Sequence, residues 1–200
     1  MIQLHGSDIK RVRSICYGGV ILDEHLSWKE HVSKVFTKVS ERLGLLGRIR
    51  VCLVLPVLCY HSCAISPVLT TWGELSVECK IRLQRVQNRA ARIIVRRDST
   101  CEALKILGWS NLETIRKRNK SILVYKCLNN LIPQYLSDYF RWNHSFHSYN
   151  TRRRENIHPS RLKLSFRYSG TILFNSLPET YKRAASLKAF KRLVMKHDFA

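Results

Sequence analysis

The residues of this chain best suited to chemistry are Arg82, Arg85, Arg89, Arg92 and Arg96, which recur at steps of three and four between Ile81 and Arg97. Leu83, Val86, Ala90, Ile93 and Ile94 recur at the same steps on an adjacent face, so one helix carries a core stripe beside a guanidinium stripe. A solvated amphipathic helix would explain the pattern if acids were interleaved with the bases. Between Lys80 and Arg97 there is no Asp or Glu. With no i,i+4 acids to neutralise the arginines, an external polyanion is the more economical partner, and the chemistry implied is electrostatic capture of phosphate.

A second basic cluster, Arg152, Arg153 and Arg154, lies among the aromatics Tyr139, Phe140, Trp142, Phe146 and Tyr149, with Arg141 beside them. This mixture could stack bases while neutralising phosphates, or the aromatics could pin an irregular segment onto a helical core. The whole chain has 35 Lys and Arg against 14 Asp and Glu, a formal charge of +21 that repels itself unless a partner neutralises it. Nucleic acid fits that role, with anionic membrane as the competitor.

Other chemistries find little support. Two-metal phosphoryl transfer needs clustered carboxylates, and no two Asp are adjacent. Walker, Gly-x-Ser-x-Gly and His-Glu-x-x-His motifs are absent, so no catalytic residue is assigned. Cys59, His61 and Cys63, and the pair His144 and His147, have spacings that raise the question of zinc. A Cys-x-His-x-Cys run in a helix-like segment splays its side chains over different faces, so these are read as buried thiols and loop histidines, with no metal site. Cys16, Cys52, Cys79, Cys101 and Cys127 are likewise read as core fillers. Seven scattered cysteines do not form a disulfide framework, and Met1 to Arg13 contain no apolar h-region. An intracellular protein without signal peptide, in nucleus or cytoplasm, is expected.

The elements that must position these residues are mostly helical. With 200 residues and 45% hydrophobic content, the chain can build one or two domains with real cores. Ile15 to Leu22 reads as a short strand or hairpin edge with a Gly pair. Ser27 with Glu30 forms a capping box for a long helix to about Gly47. Val51 to Gly73 lacks any Lys, Arg, Asp or Glu, yet Pro56, His61 and Pro67 interrupt it, so it reads as core helix and a membrane association is not favoured. The arginine helix begins near Val77. Ser99 with Glu102 and Ser110 with Glu113 open two more helices, ending near Leu107 and Asn130. Gln134 to Phe140 can form a short helix, Arg141 to Lys163 lacks periodicity, and Leu164 to Leu177 mixes aromatic with β-branched residues. Pro178 breaks the chain, and Ser186 caps a final helix carrying Leu187, Phe190, Leu193 and Val194.

Several stretches carry a family resemblance. Tyr17-Gly18-Gly19-Val20-Ile21-Leu22-Asp23 with Leu26-Ser27-Trp28-Lys29-Glu30-His31-Val32 resembles the region just after the catalytic palm in reverse transcriptases of non-LTR (LINE-type, jockey-like) retrotransposons. In the family's order there follow Leu53-Val54-Leu55-Pro56, Leu83 to Arg92, Leu107-Gly108-Trp109, Val124 to Asn129, His147-Ser148-Tyr149-Asn150-Thr151-Arg152 and Phe174-Asn175-Ser176-Leu177-Pro178. Gly18 departs from the family's usual Leu, and Val57 to Thr71 departs from its usual pattern.

The resemblance implies a fragment of an RNA-directed DNA polymerase. Its expected fold class is mainly α: a β-hairpin remnant of a palm in 1–25, a helical thumb-like bundle in 26–131, and an irregular basic C-terminal extension in 132–200 with a linker at 141–163. The family's Asp-Asp box lies upstream of these stretches, so the implied fragment is inactive alone. No cofactor belongs to it, since the divalent metal would sit in the palm. Tyr17, Gly18 and Gly19 take the primer-grip-like position. The implied partners are the phosphate backbone of an RNA or DNA duplex and the rest of a reverse transcriptase. A domesticated nucleic-acid-binding protein, a membrane-associated basic protein and a non-functional transposon remnant are the alternatives.

Overall fold

The computed structural model describes residues 2–4, 7–9, 11–49, 76–143, 156–162 and 165–199. It is mainly helical, and the chain divides into two compact units, one of Met1–Leu55 with Leu75–Trp109 and one of Pro56–Glu74 with Ser110–Ala200. The division falls inside the stretch 26–131 expected as one domain.

In the first unit, strands β1 (Ile2–Leu4) and β2 (Ser7–Ile9) pair antiparallel, a hairpin that nothing in the sequence pattern announced. Strands β3 (Ser14–Tyr17) and β4 (Val20–Asp23) form the expected one, with Tyr17 opposite Val20. Its two-residue loop needs φ > 0 at both central positions, and Gly18 and Gly19 supply +57° and +83°. Next along the ribbon, Cys16 faces Ile21. In an antiparallel ladder that pair follows a hydrogen-bonded one, so its N–H groups point off the edge. His31 Nδ1 accepts the Ile21 N–H at 3.2 Å and so ties the ribbon to α1 (Lys29–Ile49).

His31 is buried, and desolvation, then the charges of Lys34 and Lys38, hold its pKa below the ordinary 6.5. The unfolded chain therefore binds more protons here than the folded one. Stability is expected to be full above pH 6.5 and to fall as pH drops below it toward the depressed folded value. Thermal melts across that window check this. His31→Phe should remove the pH-dependent component, and an equal pH dependence in both proteins would refute the tie.

The start of α1 differs from the expected Ser27–Glu30 box. The carboxylate of Asp23 accepts from the Ser27 N–H at 2.8 Å, from the Ser27 hydroxyl and from the Trp28 N–H at 3.4 Å. That hydroxyl, with the two backbone donors, holds the Asp23 carboxyl below its ordinary range. Asp23 wins because Leu26 and Trp28 adopt φ of 50° and 64°, a reversal that turns Ser27 back toward the hairpin. The helix then continues past Gly44 and Gly47 to Ile49.

α1 packs against α2 (Val77–Val95), and α3 (Thr100–Leu107) packs against α2 from its other end. The core between them holds Leu43, Val86 and Ala90, with Phe36, Val39, Ile93 and Trp109 around it. Ser99 caps α3 as expected, accepting the Glu102 N–H at 3.5 Å. At the far end the Gly108 N–H reaches Lys105 O and the Trp109 N–H reaches Leu104 O, with Gly108 at φ +62°. This is a Schellman cap, which needs Gly at the left-handed position and an apolar residue after it. The Leu-Gly-Trp motif is thereby accounted for by packing.

In the second unit α4 (Leu112–Leu128) packs against α6 (Phe166–Asn175) and α8 (Leu187–Lys196), while α5 (Gln134–Ser137) and α7 (Glu179–Lys182) are single turns. Asn111, not Ser110, caps α4, accepting the Thr114 N–H at 2.7 Å. The core holds Val124, Tyr125, Cys127, Phe140, Ile157, Phe174, Leu177, Phe190 and Val194. Tyr125 stacks on Phe190 with centroids 4.3 Å apart and donates its hydroxyl to Ala184 O at 2.7 Å. α6 approaches α4 at Gly170, where an added Cβ would stand 3.0 Å from Val124 Cγ2. Beside it the Oγ1 of Thr171 is fully buried and, among the described residues, has no hydrogen-bond partner. Thr171→Val keeps the shape and removes the orphaned hydroxyl, so it is expected to stabilise the unit by up to ~1 kcal/mol in denaturant unfolding; a loss would show that the hydroxyl is satisfied.

Candidate nucleic-acid interface

Ser76 caps α2, accepting the Cys79 N–H at 3.3 Å, and the helix buries Cys79, Leu83, Val86, Gln87, Ala90 and Ala91. At ~100° per residue these positions leave the opposite side to Arg85, Arg89 and Arg92, which fall within an arc of about 60°. All three are exposed. From Arg85 to Arg92 the helix rises about 10 Å, so the three charges lie within roughly one Debye length at physiological salt. Among the described residues none of them has an ion-pair partner. Arg96 is also exposed, but it ends the helix in the left-handed conformation, at φ 58°, with its N–H on Arg92 O.

Arg82 behaves differently. It is half-buried, donates to Ser33 Oγ at 3.3 Å and holds its guanidinium carbon 5.0 Å from the centre of the Phe36 ring. The reason is angular: Arg82 lies about 40° from Val86 on the helical wheel and so borders the face that meets α1. Its side chain serves the α1–α2 interface through a hydrogen bond and a cation–π contact.

At the hairpin tip Tyr17 is 76% exposed beside Gly18 and Gly19. Arg152, Arg153 and Arg154 lie outside the described residues, as do Phe146, Tyr149, Val51 to Gly73 with Cys59, His61 and Cys63, and His144 with His147. The remaining aromatics divide: Phe140 is buried, Trp142 meets Phe174 edge-on at 6.4 Å, and Tyr139 stays half exposed next to exposed Arg141. Cys79 and Cys127 are core residues, and burial pushes the Cys127 thiol up to about 11. Cys16 and Cys101 are exposed, contrary to the reading of them as fillers, because Cys16 sits on a two-stranded ribbon and Cys101 in the first turn of α3. Among the described residues no group of three His, Cys, Asp or Glu could hold a metal, and no helix is long and apolar enough to cross a membrane.

Composition alone overcounts the charge available to a partner. On α4 Arg116 is buried against Glu113 at 2.6 Å, and buried Lys120 donates to Ser169 Oγ at 3.1 Å. Arg118 spans Ser110 Oγ at 2.7 Å and Met195 O at 2.9 Å, while Lys117 reaches Phe199 O at 3.4 Å. Lys182 holds Asn156 Oδ1 and Asn175 O at 3.1 and 3.0 Å. These cations mostly meet hydroxyls and carbonyls rather than acids. The run Arg116-Lys117-Arg118-Asn119-Lys120 was the signal for this role, but a basic run in a helix does not reveal which carbonyls the fold will bring to it.

Known protein families, curated proteins and solved structures contain no match to this chain.

Proposed function

We propose that this chain binds nucleic acid through the outer face of α2, as the thumb-like and C-terminal part of a non-LTR retrotransposon reverse transcriptase. The observation that carries the reading is the acid-free row of Arg85, Arg89 and Arg92, exposed on a helix whose opposite face is buried. A row of guanidinium groups on a rigid helix tracks phosphates and reads no sequence, which suits a thumb holding a template and primer duplex. The ordered resemblance from Tyr17-Gly18-Gly19 to Phe174-Asn175-Ser176-Leu177-Pro178 supports the family assignment. Polymerisation is not assigned to these residues, since no two Asp are adjacent among them. The test is binding of the full chain to a labelled duplex of mixed sequence as salt is varied, compared with the Arg85→Gln, Arg89→Gln, Arg92→Gln triple variant. Weaker, less salt-dependent binding by the variant supports the reading; identical salt dependence rejects it.

A further inference from the structure

We propose that the outer face of α8 is a second phosphate-binding surface, formed by Lys188, Lys191 and Arg192. The three recur at i, i+3 and i+4, and all are exposed. No Asp or Glu occurs from Leu187 to Lys196, and among the described residues none of the three has an ion-pair partner. Such a cluster has an internal use when it neutralises a helix C-terminus. Here that role is filled from the other side, because Arg118 of α4 donates to Met195 O in the last turn of α8. Like charges at i,i+4, as in Lys188 and Arg192, destabilise a helix unless something outside neutralises them.

The geometry also separates nucleic acid from an anionic lipid surface. A basic amphipathic helix holds to lipid by sinking its apolar face into the acyl boundary. In α8 that face is occupied: Phe190 and Val194 are fully buried, and Leu187 packs against the same core. Only the cationic face is offered outward, and a phosphate backbone needs nothing else. Two lysines act as point charges without planar recognition, so the surface is indifferent to sequence. It adds a contact in the second unit, where only Arg152, Arg153 and Arg154 had been expected, and it rests on the nucleic-acid reading of the chain.

The experiment uses the full chain carrying Lys188→Gln, Lys191→Gln and Arg192→Gln, alone and together with the α2 triple variant. Melting curves should match those of the parent, since the substitutions are on the surface. On a labelled duplex, the slope of log affinity against log salt should flatten by about 2–3, from three phosphates at ~0.9 each, with the same change in the α2-variant background. An unchanged slope overturns the α8 surface while leaving α2 standing if its own variant flattens the slope. Flat responses from both variants reject both. Phosphatidylserine vesicles supply the other arm: loss of vesicle binding in the α8 variant with an unchanged duplex slope overturns the proposal in favour of membrane.

Discussion

Replacing Asn175 with Leu is expected to cost the second unit about 2–6 kcal/mol, because two buried backbone groups lose their partners at ~1–3 kcal/mol each. The reason lies in an isolated antiparallel bridge between Trp142 and Ile157. The Asn143 N–H bonds Asn156 O at 2.8 Å, and the His158 N–H bonds Arg141 O at 2.9 Å. Ile157 is therefore at a non-hydrogen-bonded position, and its own N–H and C=O point away from Trp142. On that side Asn175 acts as the missing strand: its Oδ1 accepts the Ile157 N–H and its Nδ2 donates to Ile157 O, both at 2.9 Å. Ile157 is fully buried, so water cannot replace the amide. Asn175→Asp keeps the acceptor but opposes a carboxylate to the Ile157 carbonyl, so it should also destabilise. Denaturant unfolding followed by Trp142 fluorescence, with hydrogen exchange at the Ile157 amide, checks this. A parental midpoint and a protected amide would show that Asn175 is dispensable.

The second large effect separates the arginines of α2 from one another. The Arg85→Gln, Arg89→Gln, Arg92→Gln variant should lose about 2–3 from the salt slope on duplex DNA while melting like the parent, since these side chains are exposed. Arg82→Gln should do the reverse. It removes the guanidinium from Ser33 Oγ and the Phe36 ring, lowering stability by roughly 1 kcal/mol and leaving the slope in place. Composition and spacing treat the four residues alike, so opposite readouts would establish that the fold divides them. If Arg82→Gln also flattened the slope without loss of stability, the row would extend over it, and its seat on Phe36 would not be its working position.

Much of the architecture was legible in local patterns. The Gly18-Gly19 pair demanded a two-residue hairpin, Ser99 and Ser186 capped the helices they precede, and the arginine helix began at Val77 as its periodicity required. These features depend on residues a few positions apart, whose geometry the backbone imposes. The aromatic and β-branched stretch before Pro178 did not announce α6, because short apolar runs fit helix or strand until a partner surface chooses. Caps failed where a distant group competed: Asp23 took Ser27 from its box, and Arg118 took Ser110. Several resemblance motifs proved to be joints of the scaffold. Trp109 seals a Schellman cap, Tyr125 stacks on Phe190, and Asn175 stands in for a strand.

By itself the sequence determined that one helix would carry an acid-free arginine row beside an apolar stripe, since a 3.6-residue repeat converts spacing into faces regardless of surroundings. Only the tertiary structure decided which cations remain for a partner. That choice depends on what lies across each interface: Ser33 and Phe36 for Arg82, Glu113 for Arg116, Met195 O for Arg118, and solvent for Arg85, Arg89 and Arg92.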